Sequence, residues 1–374
     1  MSDPLAGSLD TDREFVRATV ADHADAWDAA GTVPIDLLRE LGKRGLLCAQ
    51  VPTVHGGRGL DSRTNGELTA YVGALCSSTR SVMTSQGMAA WAIQRLGDPE
   101  QQAKLLPELV SGQLAAVAFT ERDAGSDLSG IATEITPDGD AVVITGAKRW
   151  TTAAQYADLL VVFGRYQGGA AAVVVPAAAQ GVRIEPVPTP LGCRAAGHAH
   201  VELDGVRVPA GNVLGGGGPS MALLVTTALA YGRMSVAWGC VGILRACLRA
   251  STAHAARREQ GGKPIARHQL VARQLAELFV AERSATLACE YASGCWDEKR
   301  PDLVMAGVLA KYTSARHAAV AGAAAVQILA SWGAEDSGLV ARAFRDAKLM
   351  EIIEGTNETC QLLLADHALS STRP

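Results

Sequence analysis

From Asp10 to Gly112 apolar positions recur every three or four residues, the spacing of one buried helix face. The clearest run is Pro34-Ile-Asp-Leu-Leu-Arg-Glu-Leu-Gly-Lys-Arg-Gly-Leu-Leu, behind a proline suited to a first helical turn. A glycine-rich turn, His55-Gly-Gly-Arg-Gly, interrupts the pattern. Helices are expected again at Asn65 to Leu75, at Ser85 to Leu96 and from Asp98-Pro-Glu-Gln to Ser111-Gly112. Between Ala115 and Leu214 the period changes. Val142-Val-Ile-Thr, Leu159-Leu-Val-Val-Phe, Ala172-Val-Val-Val and Val201-Glu-Leu-Asp-Gly-Val-Arg-Val are short runs rich in β-branched residues, separated by Asp-Gly, Gly-Gly and Pro signals. Gly215-Gly-Gly-Gly-Pro219 reads as an exit hinge. From Met221 to Leu369 the helical pattern returns, broken at Gly261-Gly-Lys-Pro. The pattern predicts a mainly α protein with a central β domain, divided into a helical domain over 1–112, a β domain over 113–215 and a helical domain over 216–374.

Composition narrows this picture. The 374 residues are 48% hydrophobic, few are aromatic, and alanine, the best helix former, is abundant. A net charge of −4 and the lack of a basic block argue against nucleic-acid binding. The eight cysteines form no CxxC pair and no His-rich cluster, so no metal site is expected and buried thiols in a reducing cytoplasm fit best. The longest uncharged runs, Met221 to Gly232, Met234 to Leu244 and Ala318 to Ala334, are shorter than the roughly 20 apolar residues that span a bilayer. Neither a membrane segment nor a secretory signal is expected.

Three stretches carry candidate chemistry. Arg345-Asp-Ala-Lys-Leu-Met-Glu-Ile-Ile-Glu-Gly-Thr-Asn-Glu reads as a helix end, a glycine stop and a new helix capped by Thr356 or Asn357. Glu354 is expected as the last residue of its helix. There the negative end of the macrodipole and the neighbouring isoleucines both raise its pKa, which makes a catalytic base; taken alone the stretch reads rather as a solvated glutamate at a helix end. Phe119-Thr-Glu-Arg-Asp-Ala-Gly-Ser-Asp-Leu follows a strand-like run and offers hydroxyls at Thr120 and Ser126 beside small residues that let a phosphate approach, or else an ordinary polar turn. Lys148-Arg-Trp-Thr-Thr, after a Thr-Gly turn, would set Trp150 and Thr152 on one face of a strand, as a ligand wall or as plain core.

The order of these motifs, with Arg258 ahead of Gly-Lys-Pro-Ile-x-x-His-Gln between them, resembles the acyl-CoA dehydrogenase family from about Pro34 to Leu369. The resemblance implies an N-terminal helical domain, a middle β barrel-like domain and a C-terminal four-helix bundle, with FAD between the last two. It places Phe119 and Thr120 at the flavin edge, Gly125 and Ser126 by the pyrophosphate, Trp150 beside the ring and Thr152 at N5. Arg258 would reach the FAD of a neighbouring subunit. Gln327 and Thr356 would lie near an adenosine end, and Arg233 near the active site. Glu354 matches the family's base. A homodimer or homotetramer follows if Arg258 crosses an interface. The resemblance does not specify the electron acceptor.

Two further stretches, Ser77-Ser-Thr-Arg-Ser-Val-Met-Thr-Ser-Gln-Gly-Met-Ala-Ala-Trp and Gly192-Cys-Arg-Ala-Ala-Gly-His, look like the branch serving hydroxymalonyl and methoxymalonyl extender-unit synthesis, which acts on acyl carrier protein thioesters. Ser78, Thr79, Arg80 and Ser85 read as a polar lining for a short hydroxylated acyl group, or as a polar helix surface. That branch implies a glyceryl-type acyl-carrier-protein substrate. A short-chain acyl-CoA dehydrogenase is the alternative, and a flavin monooxygenase on the same fold is disfavoured by Glu354. Arg194, Arg245 and Arg249 are candidates for steering an acidic carrier.

Overall fold

The computed structural model describes residues 4–370. Among these, six helices precede the first strand: α1 (Pro4–Val20), α2 (Ala24–Ala30), α3 (Ile35–Lys43), α4 (Ser62–Leu75), α5 (Ser77–Leu96) and α6 (Pro99–Val110). Local chemistry sets their starts. Asp61 accepts from the Thr64 N–H, and Asp98 and Gln101 form a reciprocal capping box ahead of α6. α5 departs from the amphipathic rule. Every residue from Ser77 to Ala90 is buried, although serines, threonines, Arg80 and Gln86 dominate the stretch. Its hydroxyls donate back to the helix, as Ser81 does to the Ser77 carbonyl at 2.8 Å. Gln86 ties the helix outward, donating to the Leu109 and Gln113 carbonyls and accepting from the Ala115 N–H.

A curled seven-stranded sheet follows: β1 (Ala115–Ala118), β2 (Glu134–Asp138), β3 (Ala141–Thr151), β4 (Leu159–Tyr166), β5 (Gly169–Pro176), β6 (Val182–Pro186) and β7 (Ala199–Pro209). The strand order is β1-β4-β2-β3-β7-β6, with β5 paired to β4. β4 and β5 are joined by Gln167-Gly168, both at positive φ, as a two-residue hairpin requires. Thr145-Gly146 is not the turn expected from the sequence. β3 runs through it as a bulge against β7, and a second irregularity falls between Lys148 and Thr151. Trp150 sits in that second irregularity at φ 54°, so it and Thr152 do not simply alternate along a strand.

Four glycines at positive φ, Gly215 to Gly218, lead into α7 (Met221–Arg257), which Ser220 caps. A short hairpin of β8 (Glu259–Gln260) and β9 (Lys263–Pro264) separates it from α8 (Gln269–Asp297), and α9 (Leu303–Leu329), α10 (Leu339–Met350) and α11 (Asn357–Ser370) complete the chain. α7, α8 and α9 pack around alanines and cysteines such as Ala285, Cys289, Ala310 and Ala318. α7 also lies hard against α4, where a Cβ on Gly242 would meet the Ala70 carbonyl at 2.2 Å. Only glycine fits there. α10 ends at Met350, four residues earlier than expected, so Glu354 is not the last residue of a helix. It stands in the connection to α11 in the left-handed region at φ 56°, followed by Gly355 at φ 91°. Among the described residues no helix is long and apolar enough to cross a membrane.

Candidate active site

α5, α7, the β1 and β3 ends of the sheet and the α10–α11 connection converge on one cavity of about 440 Å³. Its wall includes Ser85, Phe119, Thr120, Gly125, Ser126, Trp150, Thr152, Arg233, Glu354 and Thr356. Residues as far apart in the chain as Ser85 and Thr356 thus meet. Arg258 and Gln327 do not join them: both are exposed, at the end of α7 and on α9.

Glu354 enters the cavity from the α10–α11 connection. The Arg233 Nε donates to its backbone carbonyl at 3.2 Å, and the Lys311 Nζ donates to the next carbonyl, that of Gly355, at 2.6 Å. Thr356 closes the segment by accepting from the Thr359 N–H, which caps α11. The carboxylate itself has no such support. Its Oε2 is shut away from solvent and finds no hydrogen-bond partner among the described residues. Burial pushes this carboxyl from 4.5 up to about 7, against the pull of Arg233, Lys311 and Arg80. Burial alone accounts for the rise, and a helix dipole is not needed. Space for the group comes from α7, where a Cβ on Gly232 would lie 2.2 Å from Oε2 and 2.8 Å from the Met88 Sδ.

The opposite wall is built by two motifs that lock each other. Lys148, fully buried, donates to the Phe119 carbonyl at 3.1 Å and to Glu121 at 2.7 Å, while Glu121 also accepts from the Ala132 N–H and from Thr133. Burial holds the Lys148 amine down to about 8, with Glu121 opposing. Burial also acts to raise Glu121, but the bonds from Lys148 and Thr133 outweigh it and hold the carboxyl below its ordinary range. The Arg149 N–H donates to the Thr120 carbonyl at 2.7 Å, so the aromatic and hydroxyl groups at Phe119 and Thr120 keep one position. Phe119 packs on Phe163 with ring centroids 4.3 Å apart. Trp150 is 49% exposed and therefore not a core residue.

Thr152 is fixed from two sides. Ser85 donates to its carbonyl at 3.0 Å, and its hydroxyl lies 3.2 Å from the Nδ1 of His198. His198, buried on the cavity wall, is held down to about 4 by burial and by the charge of Arg80, and its Nε2 has no partner among the described residues. It is a neutral ring that orients a hydroxyl. His198 stood inside a motif quoted from the sequence without being given a role, and none was assigned to Gly232 or Lys311. The signals were there as a glycine before Arg233 and a lysine in an apolar helix, but only the packing gives them meaning.

Of the candidate steering residues, Arg194 pairs with Asp336 at 2.9 Å, and Arg245 with Glu67 and Glu282 at 2.6 and 3.0 Å. Both are held in ion pairs within the chain, so each of these steering candidates already shares its charge with a carboxylate. Arg249 remains exposed.

An aromatic pair, a row of hydroxyls, small residues and an unpartnered, desolvated carboxyl fit a flavin and a substrate that gives up a proton. The chain matches the N-terminal domain of acyl-CoA dehydrogenases over residues 8–113, their middle domain over 116–206 and their C-terminal domain over 222–369. It belongs to the acyl-CoA dehydrogenase family, whose members are FAD-dependent. It is 33% identical over 365 residues to the probable acyl-CoA dehydrogenase YngJ of Bacillus subtilis, covering 96% of each. Among solved structures it is similar to FkbI, described as serving biosynthesis of the methoxymalonyl extender unit of the polyketide Fk520, with 58% identity, a TM-score of 0.92 and coverage of 96% of this chain and 99% of that one. A glutaryl-CoA dehydrogenase of Mycobacterium smegmatis in complex with FADH2 is 25% identical, with a TM-score of 0.92 and coverage of 100% and 96%.

Proposed function

We propose that this chain is an FAD-dependent dehydrogenase of a short hydroxylated acyl thioester, a glyceryl-type group on an acyl carrier protein, in polyketide extender-unit biosynthesis. The observation that carries the reaction type is the Glu354 carboxyl, desolvated and unpartnered on the same cavity as Phe119, Thr152 and Trp150. The similarity to FkbI along nearly the whole chain supports the substrate class and the pathway step.

In this reading Glu354 takes the proton from C2 of the acyl group, and its pKa near neutrality suits a general base. Bound FAD supplies the acceptor for the hydride leaving C3. Phe119, Thr120, Gly125, Ser126, Trp150, Thr152 and Thr356 would hold it, and His198 sets the direction of the Thr152 hydroxyl. Arg233 and Ser85 shape the substrate side, Arg233 by fixing the backbone that carries the base. Loss of the C2 proton and C3 hydride from a 2,3-dihydroxyacyl (glyceryl) group yields an enol, which tautomerises to a 2-hydroxy-3-oxo acyl thioester.

Arg258 and Gln327, exposed and remote from this chain's own cavity, are proposed to face the cofactor of a second copy in a homodimer or homotetramer. The eight buried free thiols favour a reducing, cytoplasmic setting, and a division at 112/113 and 215/216 remains our proposal for the domains. The test is anaerobic mixing of the purified holoenzyme with glyceryl-acyl carrier protein and, separately, butyryl-CoA. Rapid flavin bleaching by the first, lost by at least about 100-fold in E354Q while FAD is retained, is expected. Bleaching by butyryl-CoA and not by the carrier-bound substrate overturns the assignment.

A further inference from the structure

The other deeply buried cations among the described residues find oxygen partners: Lys148 has Glu121, Arg345 has Asp28, Arg342 has the Leu75 carbonyl, Arg233 has the Glu354 carbonyl, and Lys311 has the Gly355 carbonyl. Arg80 departs from this. It is 1% exposed and lines the cavity, yet among the described residues no carboxylate and no carbonyl oxygen pairs with it. Its Nη1 donates to the Thr84 hydroxyl at 3.2 Å, its Nη2 to the weak acceptor Met350 Sδ at 3.0 Å, and its Nε has no partner. Thr84 is itself shared with Ser235 at 2.7 Å.

The fold makes room for this cation deliberately. A Cβ on Gly239 would lie 2.7 Å from the Arg80 Nε, as one on Gly232 would collide with Glu354. The two glycines are seven residues apart on α7, hence on the same helix face and roughly 10 Å from each other. α5 matches that span, with Met88, Thr84 and Arg80 at four-residue intervals on the cavity wall. The base therefore stands at one end of a short apolar and hydroxyl-lined passage and a guanidinium fork at the other. Burying a guanidinium without acceptor oxygens is costly, and a ligand oxygen at that end would supply them.

We propose that Arg80 is the specificity-determining residue of this site, selecting short acyl groups with an acceptor oxygen, hydroxyl or carboxylate, at the end remote from the thioester. The proposal rests on the reading of the cavity as an acyl-thioester site and deepens it. An alkyl terminus leaves the fork unpaired, and a site built for a hydrogen bond rejects analogues lacking it far more strongly than an apolar pocket rejects an extra methylene. His198 brings its unpartnered Nε2 into the same cavity.

The test compares FAD-loaded wild type, R80M and R80K with pantetheine thioesters of propionate, 3-hydroxypropionate and malonate, which differ only at C3. Binding is read from the flavin absorbance shift for all three, and anaerobic flavin reduction for the first two. Wild type is expected to favour the oxygen-bearing ligands by about 100-fold or more, and R80M to lose that preference while propionyl binding stays within about 3-fold. Whether the hydroxyl or the malonyl ligand loses more separates a neutral oxygen from an anion. If R80M does not retain FAD, R80K carries the test: a reduced preference supports the proposal and an unchanged one overturns it. Equal weakening of all three ligands in R80M, or a wild type indifferent to the C3 oxygen, also overturns it. If no thioester reduces the wild-type flavin, the proposed function fails, while the binding comparison still decides the role of Arg80.

Discussion

Gly232 and Glu354 occupy each other's space: the position a Cβ would take on Gly232 lies 2.2 Å from the Glu354 Oε2. The helix that walls the cavity thus gives up a side chain so that a carboxyl can point inward. Gly232→Ala is expected to displace the base and lower the rate of flavin reduction by about 100-fold or more, the scale of general-base catalysis. Because the interior of α7 favours alanine, circular dichroism and FAD content should remain those of the wild type. Reduction at the wild-type rate would show that the carboxyl can move aside without loss.

The pKa of Glu354 predicts opposite pH trends for rate and stability. Activity needs the ionised carboxylate, so the rate of flavin reduction should rise with pH through about 7. Stability runs the other way. The folded carboxyl holds its proton more tightly than the unfolded one, so its contribution is complete below pH 4.5 and is lost as pH rises through about 7. A rise from 4.5 to about 7 corresponds to about 3 kcal/mol. In E354Q both trends attributable to this group should vanish, which melting temperatures and stopped-flow rates across pH 5 to 8 would show.

Lys311→Met should act on the same loop from beneath. Lys311 is fully buried, and its Nζ donates to the Gly355 carbonyl and stands 3.5 Å from the Glu351 carbonyl and the Asn357 Oδ1. Its removal leaves those acceptors unsatisfied, at about 1–3 kcal/mol. It also removes one of the cations holding the Glu354 pKa down, so the rising limb of the rate profile should move to higher pH. A lowered melting point with an unmoved limb would confine Lys311 to a structural part.

Arg345 on α10 donates to Asp28 on α2, and Arg194, ahead of β7, approaches the same carboxylate at 3.7 Å. One buried junction therefore joins the first helices, the sheet and the last helices. Arg345→Met should destabilise the protein by about 3–5 kcal/mol, since it leaves Asp28 buried and short of a partner. The double variant with Asp28→Asn should lose less than the single one, and denaturant titrations of the four proteins would measure the coupling.

The alternation of helical and strand periods was enough to place α4, α6 and the strands β3, β4, β5 and β7, because each carries a continuous apolar face. β2 and β6 escaped notice since they are short, largely exposed and rich in proline and charge. The motif residues Phe119, Thr120, Trp150, Thr152 and Glu354 could be picked out because their types are unusual in series. Their backbones could not. Nothing in a Glu-Gly pair says that the glutamate, as well as the glycine, turns left-handed. Arg80 was legible as part of a polar lining, but only the packing of the sheet and α7 on α5 separates that lining from a solvated helix face. Arg194 and Arg245 looked available only because their acidic partners lie 142 and 178 residues away.

The left-handed conformation of Glu354 has a consequence for anyone who would improve this protein. A non-glycine residue at such a backbone angle costs roughly 1–2 kcal/mol, and the desolvated carboxyl adds to that. Replacement by glycine relieves both. Selection for heat resistance alone would therefore reward substitution at this position early, and its survivors would bind their cofactor and do nothing with it. A library intended to yield a hardier catalyst has to be screened for turnover from its first round, since one accessible gain in melting temperature lies at the residue proposed here as the base.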